Sequence, residues 1–172
     1  MRHVRPAPTT AAAGPVPDFD TFFAIEYRRL FEVLYLLTRD RAEAEDLAQE
    51  AMARAYECWS GIRDPTRYVY RTAFNLHRTL RRRLAVAVRK RAELLPVADH
   101  PDAVERRLDA LDALAALALL PATQRAAVVL VDWAGMTAEE AAGVLGIQPV
   151  SVRGRLHRAR AALRQRIGDA DD

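Results

Sequence analysis

Apolar residues recur at every third or fourth position through the first half of the chain, which is the spacing of amphipathic helices. The first run follows Asp18 and comprises Phe19, Phe22, Phe23, Tyr27, Leu30, Phe31, Leu34 and Leu37. A second helix is predicted from about 41 to 59, and Asp40 and Glu43 form a D-x-x-E capping box at its start. Glu43 is expected to lie on the surface of this helix with other acids. A third helix is predicted to begin at Pro65, capped by Asp64.

The second half repeats the helical spacing after an interruption. Residues 1–17 lack any period and are expected to form a disordered tail, and residues 89–104 carry two prolines and read as a flexible linker. From Glu105 one helix ends before Pro121, and the next should bury Val128, Val129, Leu130 and Trp133 and end at Gly135. No strand pattern survives. The fold class is therefore all-α, with two small helical domains, 18–88 and 105–168, joined by the linker.

The stretch from Met136 to Arg166 has the form of a helix-turn-helix. Thr137 and Glu140 make a capping box, Gly146 suits a left-handed helix end, and Pro149 suits the first turn of the next helix. On that second helix Val152, Leu156, Ala159 and Leu163 form the apolar side, while residues 153–166 contain six arginines and no acid. Such a helix can enter a major groove. The alternative is a short helical hairpin with a solvated basic face.

Charge is distributed unevenly, although the net charge is only +3. Residues 39–57 hold six acids, and residues 78–91 hold seven basic residues and no acid. This order favours a protein partner for the acidic block and a polyanion for the basic ones. A purely local role of the first-turn acids with the helix dipole is the competing interpretation.

The third predicted helix combines aromatic and basic residues on one face. Tyr68, Arg71, Asn75, Arg78 and Arg82 can share that face, while Val69, Ala73, Leu76 and Leu80 point the other way. Rings that stack on bases and cations that meet phosphates are what binding of single-stranded nucleic acid requires. A solvated amphipathic helix would show a similar pattern, so the sequence leaves both interpretations open.

Several classes of function lack the residues they need. Cys58 is the only cysteine, so the chain can form no internal disulfide and no cysteine-based metal site, and the four histidines lack metal-ligand spacing. No nucleophile triad, acid–base pair or phosphate loop is present, so we expect no enzyme, no cofactor and no metal. Without a signal peptide or an apolar run long enough to span a bilayer, we expect a cytoplasmic protein that does not contact membranes.

Taken together, the two blocks resemble the sigma-70 family of bacterial RNA polymerase sigma factors, in particular its small extracytoplasmic-function (ECF) group. RAEAEDLAQEAMARAYECW and DPTRYVYRTAFNLHRTLRRR are similar to conserved region 2, and LPATQRAAVVLVDWAGMTAEEAAGVLGIQPVSVRGRLHRAR is similar to region 4. The resemblance covers roughly residues 19 to 167. It implies a transcription initiation factor that binds core RNA polymerase and directs it to promoters, reading the −35 element as duplex and the −10 element as a melted strand.

The resemblance also implies roles for individual residues. Those matching the polymerase-binding helix are Asp46, Leu47, Gln49 and Glu50. Those matching the loop and helix that hold the −10 strand are Ser60, Gly61, Arg63, Tyr68, Arg71, Asn75 and Arg78. Those assigned to the −35 duplex are Thr137, Ser151, Arg153, Arg155 and Arg158. The family commonly has Trp at Tyr68, a small polar residue at Gly154 and often Gly at Val150.

Two further expectations concern partners and rival functions. Family members are usually held by an anti-sigma factor, so such a protein is a candidate partner, and the N-terminal tail is a candidate regulator in its place. The principal alternative is a free-standing helix-turn-helix regulator whose first block dimerises and which binds palindromic duplex DNA. A helical adaptor that binds only protein would leave both basic faces unexplained.

Overall fold

The computed structural model describes the backbone of residues 17–92 and 115–168, with side chains for 17–87 and 115–165. Its helices are Phe19–Thr38 (α1), Arg41–Glu57 (α2), Pro65–Ala92 (α3), Ala122–Val128 (α4), Ala138–Leu145 (α5) and Pro149–Gly168 (α6). A 3₁₀ turn occupies Trp59–Gly61, and a π-helical turn, Val129–Trp133, continues α4. These described residues contain no strand, which confirms the all-α class.

Parts of three predictions fall outside the described residues. These are the tail up to residue 16, the linker from residue 93 onward, and the predicted helix from Glu105 as far as residue 114. The four residues 115–118 are helical and precede Pro121. At the other side of the gap α3 continues to Ala92, so residues 89–92, assigned by sequence to the linker, are helical.

Most of the helix ends lie where the local sequence predicts them. The Thr137 hydroxyl accepts a hydrogen bond from the Glu140 amide at 3.2 Å, and the Glu140 carboxylate accepts one from the Thr137 amide at 2.8 Å, so this capping box is complete. Gly146 ends α5 with φ of 66°, a left-handed conformation that glycine adopts without a steric penalty. Asp64 accepts the Arg67 amide at 3.0 Å and so begins α3.

Only one of the two hydrogen bonds of the predicted capping box at Asp40 forms. Asp40 accepts the amide of Glu43 at 3.0 Å, but its own amide donates to the Thr38 hydroxyl and not to Glu43. The Glu43 carboxylate instead accepts a hydrogen bond from Nδ1 of His77 on α3, at 2.9 Å. Glu43 is therefore a largely enclosed link between α2 and α3, and the prediction that it lies on the surface was wrong.

The first block, α1 to α3, encloses an apolar core. Leu30, Leu34, Met52 and Val69 are among its fully buried side chains. Helix α2 ends at Glu57 and not at 59, because the chain tightens into the 3₁₀ turn; the Trp59 indole packs edge-on against Phe19 at 5.2 Å. Its Nε1 donates to the carbonyl of Pro17, two residues before the start of α1, at 3.2 Å.

The second block, α4 to α6, contains a π-helical turn that the sequence did not reveal. The amide of Ala134 donates to the carbonyl of Val129, an i to i+5 bond of 2.9 Å. Val128, Val129 and Leu130 are buried as predicted, but Trp133 is 45% exposed. The extra residue in a π turn carries Trp133 around the helix and away from the face of Leu130, so its predicted burial was wrong.

The two blocks pack together in one continuous apolar cluster. Helix α3 lies against α5, and α1 lies against α4 and the π turn. One guanidinium nitrogen of Arg125 on α4 donates to the carbonyl of Leu37 at the end of α1, at 3.0 Å, while the other donates to Ala118 and Leu120 carbonyls. The Leu37 carbonyl lies in the last turn of α1, where carbonyl groups have no hydrogen-bond partner within the helix. Arg125 supplies that partner and so links the second block to the first.

Candidate functional site

The exposed side of α2 is acidic. Asp46, Gln49 and Glu50 lie on this solvent-facing side, and Glu50 pairs with Arg54 one turn along at 2.7 Å. Leu47, which the resemblance assigns to the same surface, is only 6% exposed and belongs to the core. Successive helix positions are about 100° apart, so Leu47 cannot share the face of Asp46. Leu47 therefore supports this face from beneath, and its assignment to polymerase binding stays a prediction.

The segment between α2 and α3 presents its polar residues outward. Ser60, Gly61 and Arg63 are all exposed. A Cβ placed on Gly61 would meet no atom within 4 Å, so the space beside this turn is open. The segment leads through Asp64 directly into α3, which sets the turn beside the first residues of that helix.

Four residues of α3 assigned to the −10 strand lie along one side of the helix. Arg71, Asn75 and Arg78 are exposed, and Tyr68 is half-buried. The Arg78 guanidinium donates to the Asn75 side-chain oxygen at 3.1 Å. The Cys58 thiol donates a hydrogen bond to the Tyr68 hydroxyl at 3.3 Å. The Tyr68 ring is therefore anchored at its hydroxyl end, beside the exposed turn.

Helix α6, the second helix of the helix-turn-helix, divides as predicted into a buried and an exposed side. Val152, Leu156 and Ala159 are buried, while Ser151, Arg153 and Arg158 are exposed and Arg155 is partly exposed. Thr137 lies at the start of α5, where its hydroxyl also donates to Glu140 at 2.9 Å. A Cβ on Gly154 would meet only the Arg158 guanidinium at 3.6 Å, so packing within the described residues does not require glycine there.

Arg153 and Arg155 lie on opposite flanks of α6, and the flank of Arg153 carries partners that the sequence argument missed. Arg153 forms an ion pair with Glu139 of α5, and Arg160 pairs with Asp132 of the π turn at 2.5 Å. An open groove of about 580 Å³ runs along this flank and is lined by Arg153, Leu156, His157, Arg160, Leu163 and Arg164. The sequence shows only that Asp132 and Glu139 come before the basic helix α6. Which arginine each of them meets depends on the angle at which α6 packs against α5 and the π turn.

Two further negative findings concern the described residues only. Within 17–92 and 115–168, no helix combines the length and apolarity needed to cross a bilayer. In the same ranges no three His, Cys, Asp or Glu side chains cluster as metal ligands would.

Comparison with known proteins matches both blocks to one family. The profile described as Sigma-70 region 2 matches residues 22–92, and that described as Sigma-70, region 4 matches residues 110–163. The RNA polymerase sigma-E factor of Streptomyces avermitilis is 33% identical over 93% of this chain and 90% of its own length. The ECF RNA polymerase sigma factor SigM of Mycobacterium tuberculosis is 34% identical over 97% of this chain and 87% of its own length.

The chain belongs to the sigma-70 family and to its extracytoplasmic-function group. The family assignment, the two-block helical fold and the interpretation as a sigma factor are thereby confirmed, and the alternative of a free-standing dimeric regulator is not favoured. A solved structure supports the fold. The sigma factor RpoE in complex with the anti-sigma factor NepR from Bartonella quintana is 25% identical, covers 89% of this chain and 98% of its own, and has a TM-score of 0.74.

Proposed function

We propose that this sigma factor binds core RNA polymerase through the exposed face of α2 and directs the enzyme to promoters through two unlike DNA-binding faces. It acts in the cytoplasm, where polymerase and DNA are found, and it carries out no catalytic step itself. The acidic face of Asp46, Gln49 and Glu50 suits a basic partner surface, because complementary charge speeds association and suppresses wrong partners.

The observation that carries the proposal is that one chain presents two exposed faces of different chemistry, one on α3 and one on α6. The α3 surface combines the anchored Tyr68 ring with Arg71, Asn75 and Arg78 beside an open turn, which is suited to unstacked bases and a single-strand backbone. The α6 surface combines an outward helix face with arginines on both flanks, which is suited to a major groove between two phosphate backbones. Neither surface alone would distinguish a promoter from other DNA with the precision of both together.

Run-off transcription tests this function. Purified chain and core polymerase are incubated with a library of genomic fragments, and the start sites of discrete transcripts are mapped. We expect transcripts that depend on the chain and share two upstream elements. Equal transcription with and without the chain, or binding of palindromic duplex by the chain as a dimer without polymerase, would refute the proposal.

A further inference from the structure

An exposed acid stands on the surface of the second block that faces DNA in the proposed function. Glu139 is the second residue of α5, and its carboxylate pairs with a terminal guanidinium nitrogen of Arg153. The side chains of Arg153 and Glu139 are 59% and 60% exposed. A carboxylate at this position repels phosphate, so it opposes the general attraction that the six arginines of α6 exert on DNA.

The helix end does not need Glu139. Glu140 already completes the capping box with Thr137, and it is also a first-turn acid that complements the helix dipole. The bond to Arg153 connects residues 14 positions apart, so it joins the first helix of the helix-turn-helix to the recognition helix. A contribution to the fold from an ion pair this exposed is small, since solvent screens it.

We propose that Glu139 is a positioning residue that holds the Arg153 guanidinium in the orientation that reads a base pair. This inference rests on the proposed function. An arginine fork carries five donors, of which the hydrogen bond to Glu139 uses one, and the Arg153 side chain remains 59% exposed. Arg153 is the fifth residue of α6, in the part of a recognition helix that meets base edges. Held by the carboxylate, Arg153 can present two donors to a guanine and is kept from swinging to a phosphate.

The Glu139 carboxylate therefore lowers the affinity of the chain for DNA of any sequence and raises its discrimination between sequences. The chain offers a comparison in the Asp132–Arg160 pair, which also joins a carboxylate to an arginine of α6 but has two hydrogen bonds and involves the twelfth residue of that helix. Arg160 lies two turns beyond Arg153, away from the base-reading end of the helix. Neutralising either acid frees one arginine and removes one negative charge, but only the loss of Glu139 should change how a base pair is read.

The test uses holoenzyme reconstituted from core polymerase and the full chain. A promoter captured by the wild-type holoenzyme from genomic fragments is given a randomised −35 element, and the bound fraction is sequenced. For Glu139→Gln we expect discrimination at one base pair to fall about tenfold, the scale of one bidentate arginine contact, while binding to unrelated duplex rises. For Asp132→Asn we expect the same rise with discrimination unchanged. Thermal unfolding of each variant is measured alongside.

A double-mutant cycle separates positioning from other effects. With Arg153→Ala in place, Glu139→Gln should cause no further loss of discrimination. The inference is overturned if Glu139→Gln retains wild-type discrimination, if Asp132→Asn loses as much, or if the two changes at 139 and 153 are additive. A wild-type holoenzyme that selects no promoter at all would instead refute the proposed function, so the two failures can be told apart.

Discussion

His77 is enclosed by charged groups from three helices. Its ring bonds to Glu43 of α2, while Arg81 of α3 and Arg125 of α4 lie near enough to act on its charge. Burial is the largest effect and lowers the pKa of His77, the two arginines lower it further, and the bond to Glu43 opposes them. The folded chain therefore favours the neutral ring, in which the Nδ1 proton is donated to Glu43.

This environment makes the stability of the chain depend on pH. The unfolded chain takes up a proton on His77 near its ordinary pKa of 6.5, whereas the folded chain resists it. We expect the free energy of unfolding to be fully retained above pH 6.5 and to fall as the pH drops from there toward the lower folded pKa. Denaturant unfolding across this range should show the decline in the wild type and lose it in His77→Gln.

His157→Gln makes the same substitution at an exposed position of α6 and serves as the matched control. An identical profile for wild type and His77→Gln would mean that the His77 site does not distinguish the two charge states.

Residue-scale features could be predicted where the partner is near in sequence. The cap at Thr137 and the left-handed Gly146 follow from residues within one turn. Glu43 has the same spacing from its cap as Glu140, but its carboxylate is taken by His77, 34 positions away. Tertiary partners of this kind compete with local ones, and only the packing of α2 on α3 decides between them.

At the scale of elements, the helix periods predicted the apolar sides of α3 and α6, whereas Phe23, part of the apolar run predicted for α1, is 38% exposed. The π turn was not predictable, because its i to i+5 bond leaves no mark on the apolar spacing until Trp133 is seen outside the core. The same holds for the candidate site. The exposed faces of α3 and α6 were predicted from the sequence, whereas the ion pairs that join Glu139 of α5 and Asp132 of the π turn to α6 were not.

The acidic face of α2 is the element that we expect core polymerase to bind. Reversing one charge there with Asp46→Arg sets like charges against a basic partner surface, so we expect core binding to weaken at least about tenfold. Because Asp46 is exposed, the free energy of unfolding should change by no more than about 0.5 kcal/mol. An equilibrium binding assay with purified core measures the loss of affinity, and denaturant unfolding measures the change in the free energy of unfolding.

Asp20→Arg makes the same change of charge on the exposed side of α1 and serves as the control. Undiminished core binding by Asp46→Arg, or an equal loss in Asp20→Arg, would contradict the assignment of this face.

The whole molecule shows what the sequence could not predict. Two independent blocks on a tether were expected, but the blocks share one core cluster, and Arg125 joins α4 to the end of α1. On α5, a Cβ at Gly143 would come within 2.9 Å of the Arg67 guanidinium of α3, so the two surfaces touch closely. Contacts between distant segments depend on complementary shape, which the helix periods of each block do not contain.

The packed arrangement cannot reach both promoter elements at once. The −35 and −10 elements are about 25 base pairs apart, roughly 85 Å of straight duplex at about 3.4 Å per pair. A compact chain of this size is only about 40 Å across. The 22 residues between Ala92 and residue 115 can span at most about 75 Å, which is enough for the blocks to separate when polymerase and DNA hold each of them.

The most direct measurement is the distance between the blocks by fluorescence energy transfer. Labels are placed on cysteines at the exposed positions Ala24 and Gln165, in a Cys58→Ser background. We expect a short distance in the free chain, and a distance well beyond 40 Å only when core polymerase and a captured promoter are both present. An unchanged distance with core and promoter, or opening on duplex DNA alone by a chain that binds as a dimer, would contradict a sigma factor that bridges two promoter elements.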